Sequence, residues 1–331
     1  VRGAAEGLRR RLGPGRRGFA SIICRWCLEA RQRRLGMLAG VAASIYLEQT
    51  YKWAAKLSGP ILALVMAVPA GAITYGEPDL GEHPFVGLIA FFNADNEFIW
   101  RCSGSMLAPQ IMLTAGHCTA PDEDLIPLTA RVYFDETIIY DPILDDYTNS
   151  YVTGIPVPHP GYNLSTLPET YDIGVILLDE PVVGLTEFAQ LPTLGLMVEV
   201  GSKSDKRKVI LTSVGYGFND VYPEVISLRT RYQAQSFLIN PNNALTAGWN
   251  IAASNNPGQW TGSEDYTTGG TCSGDSGGPV FLGDSESNVI VGITSFGVQA
   301  CAGVDYSWRV DIEASRTFLA QFAAEYGFTI P

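Results

Sequence analysis

The sequence predicts an all-β fold that ends in one α-helix and follows a removable leader. Three observations carry this prediction. Short apolar runs alternate with turn-rich segments, a helical periodicity is confined to the C-terminal end, and the charge of the chain reverses near residue 72.

The apolar runs have the length of β-strands. The segments between them are rich in Gly, Pro, Asn and Asp, which is typical of a β-sandwich or β-barrel. No internal repeat at a solenoid or propeller period accompanies them. The runs cover residues 85–91, 111–113, 173–178, 209–211 and 289–293, and two long polar loops lie around 120–150 and 240–268.

The C-terminal end has a different period. Phe318, Leu319, Phe322 and Tyr326 fall at helical spacing. A helix over residues 311–326 is therefore expected, with Asp311 as the capping residue at its start and Gly327 at its end.

The leader is distinguished by its charge. Residues 1–72 carry 12 Lys and Arg against three Glu, a net charge of +9, whereas the remainder carries 10 against 31, a net charge of −21. The apolar run 61–68 precedes Ala70-Gly71-Ala72, which has the form of a signal-peptidase site. We expect cleavage after Ala72 and a mature domain over 73–331. Residues 1–36 form either a long basic region or sequence upstream of a true start at Met37, and a retained anchor is the alternative to a removed signal.

The mature part is acidic, which disfavours nucleic acid as a partner. Its only basic cluster, Lys203, Lys206, Arg207 and Lys208, is interpreted as a solvated loop. Cys24 and Cys27 lie in the leader, so four cysteines remain, and an even number in a secreted chain predicts two disulfides. No C-x-x-C motif remains and His is scarce, so we expect no metal and no cofactor.

Three local sequences carry candidate chemistry. They are "LTAGHC" with His117, "YDIGVILLD" with Asp172, and "CSGDSGGPV" with Ser276. A serine hydroxyl needs an imidazole to accept its proton, and the imidazole needs a carboxylate to fix its tautomer. The Gly-rich turn lets the backbone N–H groups of Gly274 and Ser276 bind an oxyanion.

The order of these residues excludes two other hydrolase classes. "GDSGG" also fits the G-x-S-x-G elbow of α/β-hydrolases, but those enzymes place their histidine after the serine. All three histidines here precede Ser276. A subtilisin-like order requires Asp first and a different serine motif, so the order His, Asp, Ser remains.

These motifs, together with "ITSFG", resemble the chymotrypsin/trypsin family of serine proteases across residues 73–325. The resemblance implies two antiparallel Greek-key β-barrels, over about 85–185 and 190–310, with the catalytic cleft between them. It implies His117 as general base, Asp172 as its orienting partner and Ser276 as the nucleophile.

The resemblance also assigns supporting residues. Ser295, Phe296 and Gly297 would pair with the substrate backbone as an added strand, and Ser295 would help to hold Asp172. The implied disulfides are Cys102–Cys118 and Cys272–Cys301. The other histidines receive structural interpretations, with His83 at the surface and His159 in a loop without catalytic duty.

The start of the mature chain receives a role from the same resemblance. "ITYG" is similar to the family's apolar N-terminus, whose free amine pairs with the buried acid before the nucleophile, here Asp275. We hypothesise that one cut after Ala72 both removes the leader and creates this amine at Ile73. A cut elsewhere followed by trimming is the alternative.

In this family, the residue six positions before the nucleophile is the main determinant of primary specificity. That residue is Gly270 rather than Asp, and with Thr271 and Gly297 it favours large apolar or aromatic side chains. Specificity for Lys or Arg is the alternative, because Asp305 falls near the strand that forms the back wall of the pocket. The sequence leaves open whether Asp305 lies in the pocket wall or at the surface. Thr294 occupies the position at which Glu-cutting bacterial relatives have His, so we do not expect specificity for Glu.

The sequence therefore predicts a secreted, monomeric serine endopeptidase. Polypeptide substrates and protein protease inhibitors are the expected partners, with no stable membrane association after signal removal. The rival from another class is a non-catalytic binding module on a protease scaffold. The sequon Asn163-Leu164-Ser165 is a glycosylation site only in a host that uses it.

Overall fold

The computed structural model describes residues 73–202, 209–219, 225–239, 244–256, 268–298 and 301–330. The predicted leader and the basic cluster at 203–208 lie outside these residues, as does most of the loop around 240–268.

Six antiparallel strands close into the first barrel. Their spatial order is β2-β3-β4-β9-β8-β5, and fully buried apolar side chains fill the interior. The strands are β2 (Val86–Phe92), β3 (Phe98–Ala108), β4 (Ile111–Thr114), β5 (Thr129–Tyr133), β8 (Val152–Pro158) and β9 (Gly174–Leu178). A two-stranded hairpin of β6 (Tyr140–Asp141) and β7 (Asp146–Tyr147) projects from the connection between β5 and β8.

Seven strands form the second sheet, in the order β1-β11-β10-β13-β14-β15-β12. Leu238, just after β11, bridges Ala253 of β12, and this contact curls the sheet into the second barrel. The strands are β1 (Glu77–Pro78), β10 (Ile210–Gly215), β11 (Tyr232–Phe237), β12 (Asn250–Asn255), β13 (Pro279–Leu282), β14 (Ile290–Gly297) and β15 (Gly303–Arg309). The all-β expectation is confirmed.

The described residues also form three helices, α1 (Gly116–Thr119), α2 (Leu196–Gly201) and α3 (Glu313–Tyr326), and a 3-10 turn at Leu164–Thr166. The predicted C-terminal helix is present, and Gly327 ends it in the left-handed conformation. The expected cap at Asp311 is wrong. Ile312 is the N-cap residue, and Asp311 instead pairs with Arg309 at 2.7 Å.

Both implied disulfides are present. Cys102–Cys118 joins β3 to α1, and Cys272–Cys301 joins the loop before β13 to the segment before β15. The Cys102–Cys118 disulfide ties α1 to the wall of the first barrel. The Cys272–Cys301 disulfide ties the segment before Ser276 to the second barrel.

Candidate active site

Two neighbouring strands of the first barrel bring His117 and Asp172 together. His117 lies in α1, directly after β4, and Asp172 lies just before β9. These strands pair in antiparallel register with Thr114 opposite Gly174, so the end of one meets the start of the other. Gly174 is needed for this approach, because a Cβ there would lie 2.3 Å from Thr119 Oγ1.

Asp172 is a buried carboxylate with three hydrogen-bond donors. The backbone N–H of His117 donates to Oδ1 at 2.8 Å, the imidazole Nδ1 lies 2.9 Å from Oδ2, and the hydroxyl of Ser295 also donates to Oδ2. Burial raises the pKa of Asp172, but the charge and hydrogen bonds of His117 and the Ser295 hydroxyl outweigh it, so the pKa lies below its usual value. Asp172 is therefore ionised, and Nδ1 of His117 carries the proton.

The imidazole of His117 is thereby fixed in the tautomer whose other nitrogen, Nε2, accepts a proton. The side chain is 26% exposed, whereas Asp172 is 1% exposed. Burial alone would lower the pKa of His117, but Asp172 raises it above its usual value. This combination of an oriented ring and a strengthened base suits general-base catalysis.

Ser276 lies in a turn that packs against the segment carrying His117. The carbonyl of Ser276 accepts a hydrogen bond from the backbone N–H of Ser103 at 2.8 Å. A Cβ on the next residue, Gly277, would lie 2.9 Å from the backbone nitrogen of Ala115, which immediately precedes α1. The Ser276 turn and His117 are therefore on adjoining segments.

The same turn is also fixed to the second barrel. The N–H of Gly277 donates to the carbonyl of Thr294 at 2.8 Å, and the N–H of Thr294 donates to the carbonyl of Gly278 at 2.9 Å. Thr294 precedes Ser295, whose hydroxyl bonds Asp172. The predicted triad residues thus lie on segments that meet between the two barrels.

The backbone of the Ser276 turn leaves two N–H groups available. Those of Asp275, Gly277 and Gly278 donate to carbonyls, whereas those of Gly274 and Ser276 donate to no atom in the part of the chain described. Gly274 has a φ of +98°, which side chains with a Cβ rarely adopt. Free N–H groups on alternate residues of one turn suit the binding of an oxyanion.

Asp275 is a buried carboxylate that has no ion-pair partner among the described residues. Its oxygens accept hydrogen bonds from the backbone N–H groups of Gly217 at 2.7 Å and Cys272 at 2.9 Å. Burial nonetheless raises the pKa of Asp275 to about 7. A buried carboxylate without a cationic partner is energetically unfavourable, so a cation beside Asp275 would stabilise its ionised form.

Ile73 lies beside the segment that leads to Asp275. Its side chain is fully buried and packs with Tyr232 and Ala234. Thr74 forms a bridge with Gly270, in which the N–H of Gly270 donates to the carbonyl of Thr74 at 3.1 Å.

Asp305 is buried, which decides between the two placements that the sequence left open. It lies opposite Gly297 in the β14–β15 register, and a Cβ on Gly297 would be 3.0 Å from its Oδ1. The N–H of Thr271 donates to Oδ2 at 2.7 Å, and Nδ2 of Asn255 donates to Oδ1 at 3.0 Å. Burial raises the pKa of Asp305, and these hydrogen bonds oppose the shift.

Asn255 lies against two of the predicted substrate-binding residues, Gly270 and Asp305, and sequence reasoning missed it. Its side chain occupies the space in front of Gly270, where a Cβ would lie 2.1 Å from Asn255 Cγ. Its Oδ1 is buried and has no hydrogen-bond partner among the described residues. Asn255 ends β12, and pairing of β12 with β15 places it beside Asp305. No motif surrounds it, so the sequence carried no signal for it.

The remaining predicted residue, Phe296, stacks on Tyr306 with ring centroids 4.7 Å apart. His159 stacks on Tyr171 at 4.7 Å. The surface position expected for His83 is wrong, because its side chain is fully buried, stacks on Phe281 and bonds Asp79.

One group of described side chains, Cys102, His117 and Cys118, has the composition of a metal site. The two cysteines are joined in a disulfide, so their sulfurs are not thiolate ligands. His117 is committed to Asp172 through Nδ1.

Comparison with known proteins agrees with this geometry. The family model described as Trypsin matches residues 76–316. Human kallikrein-2 is 25% identical over 214 residues, which is 61% of this chain and 72% of that protein. Lectizyme of Glossina austeni is 28% identical over 256 residues, 72% of this chain and 83% of that protein.

Among solved structures, one titled HL collagenase matches with a TM-score of 0.53 and 18% identity, over 78% of this chain and 98% of its own. This likeness concerns the fold. In the portion of the chain that the structure describes, no helix is both long and apolar enough to span a bilayer. The match over residues 76–316 covers most of the chain. The chain therefore belongs to the trypsin family of serine proteases, which are peptidases.

Proposed function

We propose that this protein is a secreted serine endopeptidase that hydrolyses peptide bonds through an acyl-enzyme on Ser276. The observation that carries the proposal is the Asp172–His117 pair, held by Ser295, next to a turn whose Gly274 and Ser276 N–H groups are unbonded. A binding module on the same scaffold would have no need of an ionised, oriented His–Asp pair beside a serine.

The proposed chemistry follows from these groups. Nε2 of His117 accepts the Ser276 proton as Oγ attacks the scissile carbonyl, and Asp172 stabilises the imidazolium that results. The N–H groups of Gly274 and Ser276 stabilise the negative oxygen of the tetrahedral intermediate. His117 then donates its proton to the departing amine, and water releases the acyl group by the reverse sequence of proton transfers.

Reaction with a fluorophosphonate probe tests the proposal. We expect the processed protein to be labelled, and labelling to disappear in Ser276→Ala. Ser273→Ala, three residues away in the same loop, is the matched control and should still be labelled. Correctly processed protein that fails to react would favour the binding module.

Activation is proposed to depend on the amine of Ile73. Asp275 is buried with a pKa raised to about 7, and Ile73 already occupies an apolar slot beside the same segment. A free amine there would supply the cation that Asp275 lacks. N-terminal sequencing of the active secreted protein should begin at Ile73, and a different first residue in active enzyme would refute the single-cut route.

The specificity pocket favours the Lys/Arg alternative of the sequence analysis. Gly270 and Gly297 carry no side chain, but the side chain of Asn255 occupies the space in front of Gly270, and Asp305 lies against Gly297. The buried carboxylate of Asp305 and the Oδ1 of Asn255, which has no hydrogen-bond partner among the described residues, lie at this place, and both are acceptors. Two acceptors and a negative charge support Lys or Arg as the preferred residue before the scissile bond.

A peptide library tests this choice. We expect cleavage after Lys and Arg, and a shift toward aromatic residues in Asp305→Asn, which keeps the volume and removes the charge. Cleavage of the unmodified enzyme only after aromatic residues would restore the apolar alternative. Polypeptides and protein inhibitors are the proposed partners, and a monomer is the proposed state.

A further inference from the structure

Arg101 lies at the Gly274 end of the Ser276 turn, and the charge of a second arginine, Arg229, acts on Arg101. The other end of the turn, Gly277, is bonded to Thr294 of β14. At the Gly274 end, a Cβ would lie 3.4 Å from Nε of Arg101. The Ser276 turn therefore has β14, the strand proposed to bind the acyl part of the substrate, at one end and the guanidinium of Arg101 at the other.

The strand β3 aims Arg101 at the turn. Alternate residues of a strand share a face, so Arg101 and Ser103 point the same way. The Ser103 hydroxyl donates to the carbonyl of Gly274 at 2.9 Å. Trp100 points oppositely, with its Nε1 donating to the carbonyl of Cys118.

Aromatic rings and a neutral hydroxyl hold these arginines. The Arg101 guanidinium lies 5.4 Å from the Phe218 ring centroid, and its Nη2 donates to Ser227 Oγ at 2.7 Å. Arg229 lies over the rings of Tyr140 and Tyr147, at 4.9 and 5.8 Å. Such contacts hold a cation in place but leave its charge uncompensated.

Arg101 and Arg229 differ in their lack of an ion pair from three of the four other described arginines. Burial lowers the pKa of Arg101, and the nearby charge of Arg229 lowers it further, so the two repel each other. Neither forms an ion pair with a carboxylate among the described residues, although the mature chain is strongly acidic. Three other arginines do form such pairs: Arg131 with Asp146, Arg231 with Asp79 and Arg309 with Asp311.

We propose that Arg101 and Arg229 select substrates with Asp or Glu at the first or second residue after the scissile bond. The inference rests on the proposed function. Because the residues before the bond pair with Ser295–Gly297, the departing chain runs past the opposite, Gly274 end of the turn. An acidic side chain there meets two guanidinium groups that form no ion pair with a carboxylate in the part of the chain that the structure describes.

The test uses pairs of internally quenched peptides that differ only by Asp or Asn at one of these two positions. The readout is the ratio of the two kcat/KM values. We expect the unmodified enzyme to favour Asp by roughly five- to tenfold at one position, and the ratio to fall with added salt. Arg101→Gln should bring the ratio to near one, and Arg101→Lys should keep part of it.

The ratio does not depend on the fraction of enzyme that is folded, because both peptides meet the same preparation. Arg229→Gln is a second variant and should also lower the ratio. Arg131→Gln, an arginine paired with Asp146 in the first barrel, is the matched control and should retain the full ratio. Equal cleavage of the Asp and Asn peptides by the unmodified enzyme overturns this inference alone, whereas failure to cleave any peptide overturns the proposed function with it.

Discussion

The molecule contains two histidine–aspartate pairs with buried carboxylates, similar local geometry and different surroundings. In one, Nδ1 of His117 lies 2.9 Å from Oδ2 of Asp172; in the other, Nδ1 of His83 lies 2.5 Å from Oδ1 of Asp79. In both, the backbone N–H of the histidine also donates to the same carboxylate.

The groups around each pair separate their roles. Asp79 is neutralised by Arg231, whose Nε donates to it at 2.7 Å, and His83 is 0% exposed. Asp172 is held instead by a hydroxyl, and His117 remains partly exposed beside Ser276. A His–Asp pair is therefore suited to general-base catalysis when the second imidazole nitrogen is accessible and no arginine neutralises the carboxylate.

The largest expected effect is on catalysis, from Asp172→Asn. The amide would present a donor to Nδ1 and favour the wrong tautomer of His117, so kcat should fall about 10⁴-fold. Steady-state kinetics on a peptide substrate, normalised by active-site titration, measures this. A loss of less than tenfold would contradict the assigned role.

The matching change at the other pair should affect stability and spare chemistry. Asp79→Ala leaves Arg231 buried without its partner, which should lower the free energy of unfolding by about 3–5 kcal/mol. Urea denaturation measures this loss, while kcat per folded molecule should stay the same. Since the pKa of Asp79 is lowered in the folded state, against the effect of burial, by His83 and Arg231, its contribution is present above pH 4 and fades as pH falls.

The pH dependence distinguishes the catalytic pair further. Asp172 raises the pKa of His117 against the effect of burial, and only the neutral imidazole accepts the serine proton. The value of kcat/KM should therefore rise about tenfold per pH unit up to a midpoint above 6.5. The stabilisation from protonated His117 is full below pH 6.5 and is lost as pH rises through that midpoint. A pH–rate profile with a midpoint at or below 6.5 would contradict this.

The smallest expected effect concerns Ser295. Ser295→Ala removes one of three donors to Asp172, so kcat should fall by roughly tenfold. Ser105→Ala is the matched control, because the Ser105 hydroxyl is buried with no hydrogen-bond partner among the described residues and its removal should leave kcat unchanged. Equal rates for the two variants would show that Ser295 does not position Asp172.

The local sequence was sufficient to predict those strands and the terminal helix whose formation depends on the pattern of neighbouring residues. Apolar runs of strand length predicted the β-strands, and the spacing of Phe318, Leu319 and Phe322 predicted the terminal helix. The expected cap failed because Asp311 is bound by the guanidinium of Arg309 and, from a distant part of the chain, by the backbone N–H of Met197 in α2. The burial of His83 was missed for a similar reason, since Asp79, which bonds its Nδ1, is itself paired with Arg231, 148 residues from His83 along the chain.

The motifs predicted the candidate triad residues because each motif combines a side chain with the turn that presents it. The surroundings of the proposed specificity pocket could not be predicted in this way. Asn255, Gly270 and Asp305 meet only through the pairing of β12 with β15 and the path of the loop before β13. Arg101 was also missed, because its neighbour Gly274 lies in the other barrel.

The buried position of Ile73 bears on when the proposed cut after Ala72 would take place. The side chain of Ile73 is fully enclosed, and the hydroxyl of Thr74 donates to the carbonyls of Gly270 and Cys301. On the proposed route, the cut before Ile73 would therefore precede the docking of this segment. A precursor that docked the segment first would keep the amine of Ile73 blocked, and Asp275 would remain without the cation proposed for it.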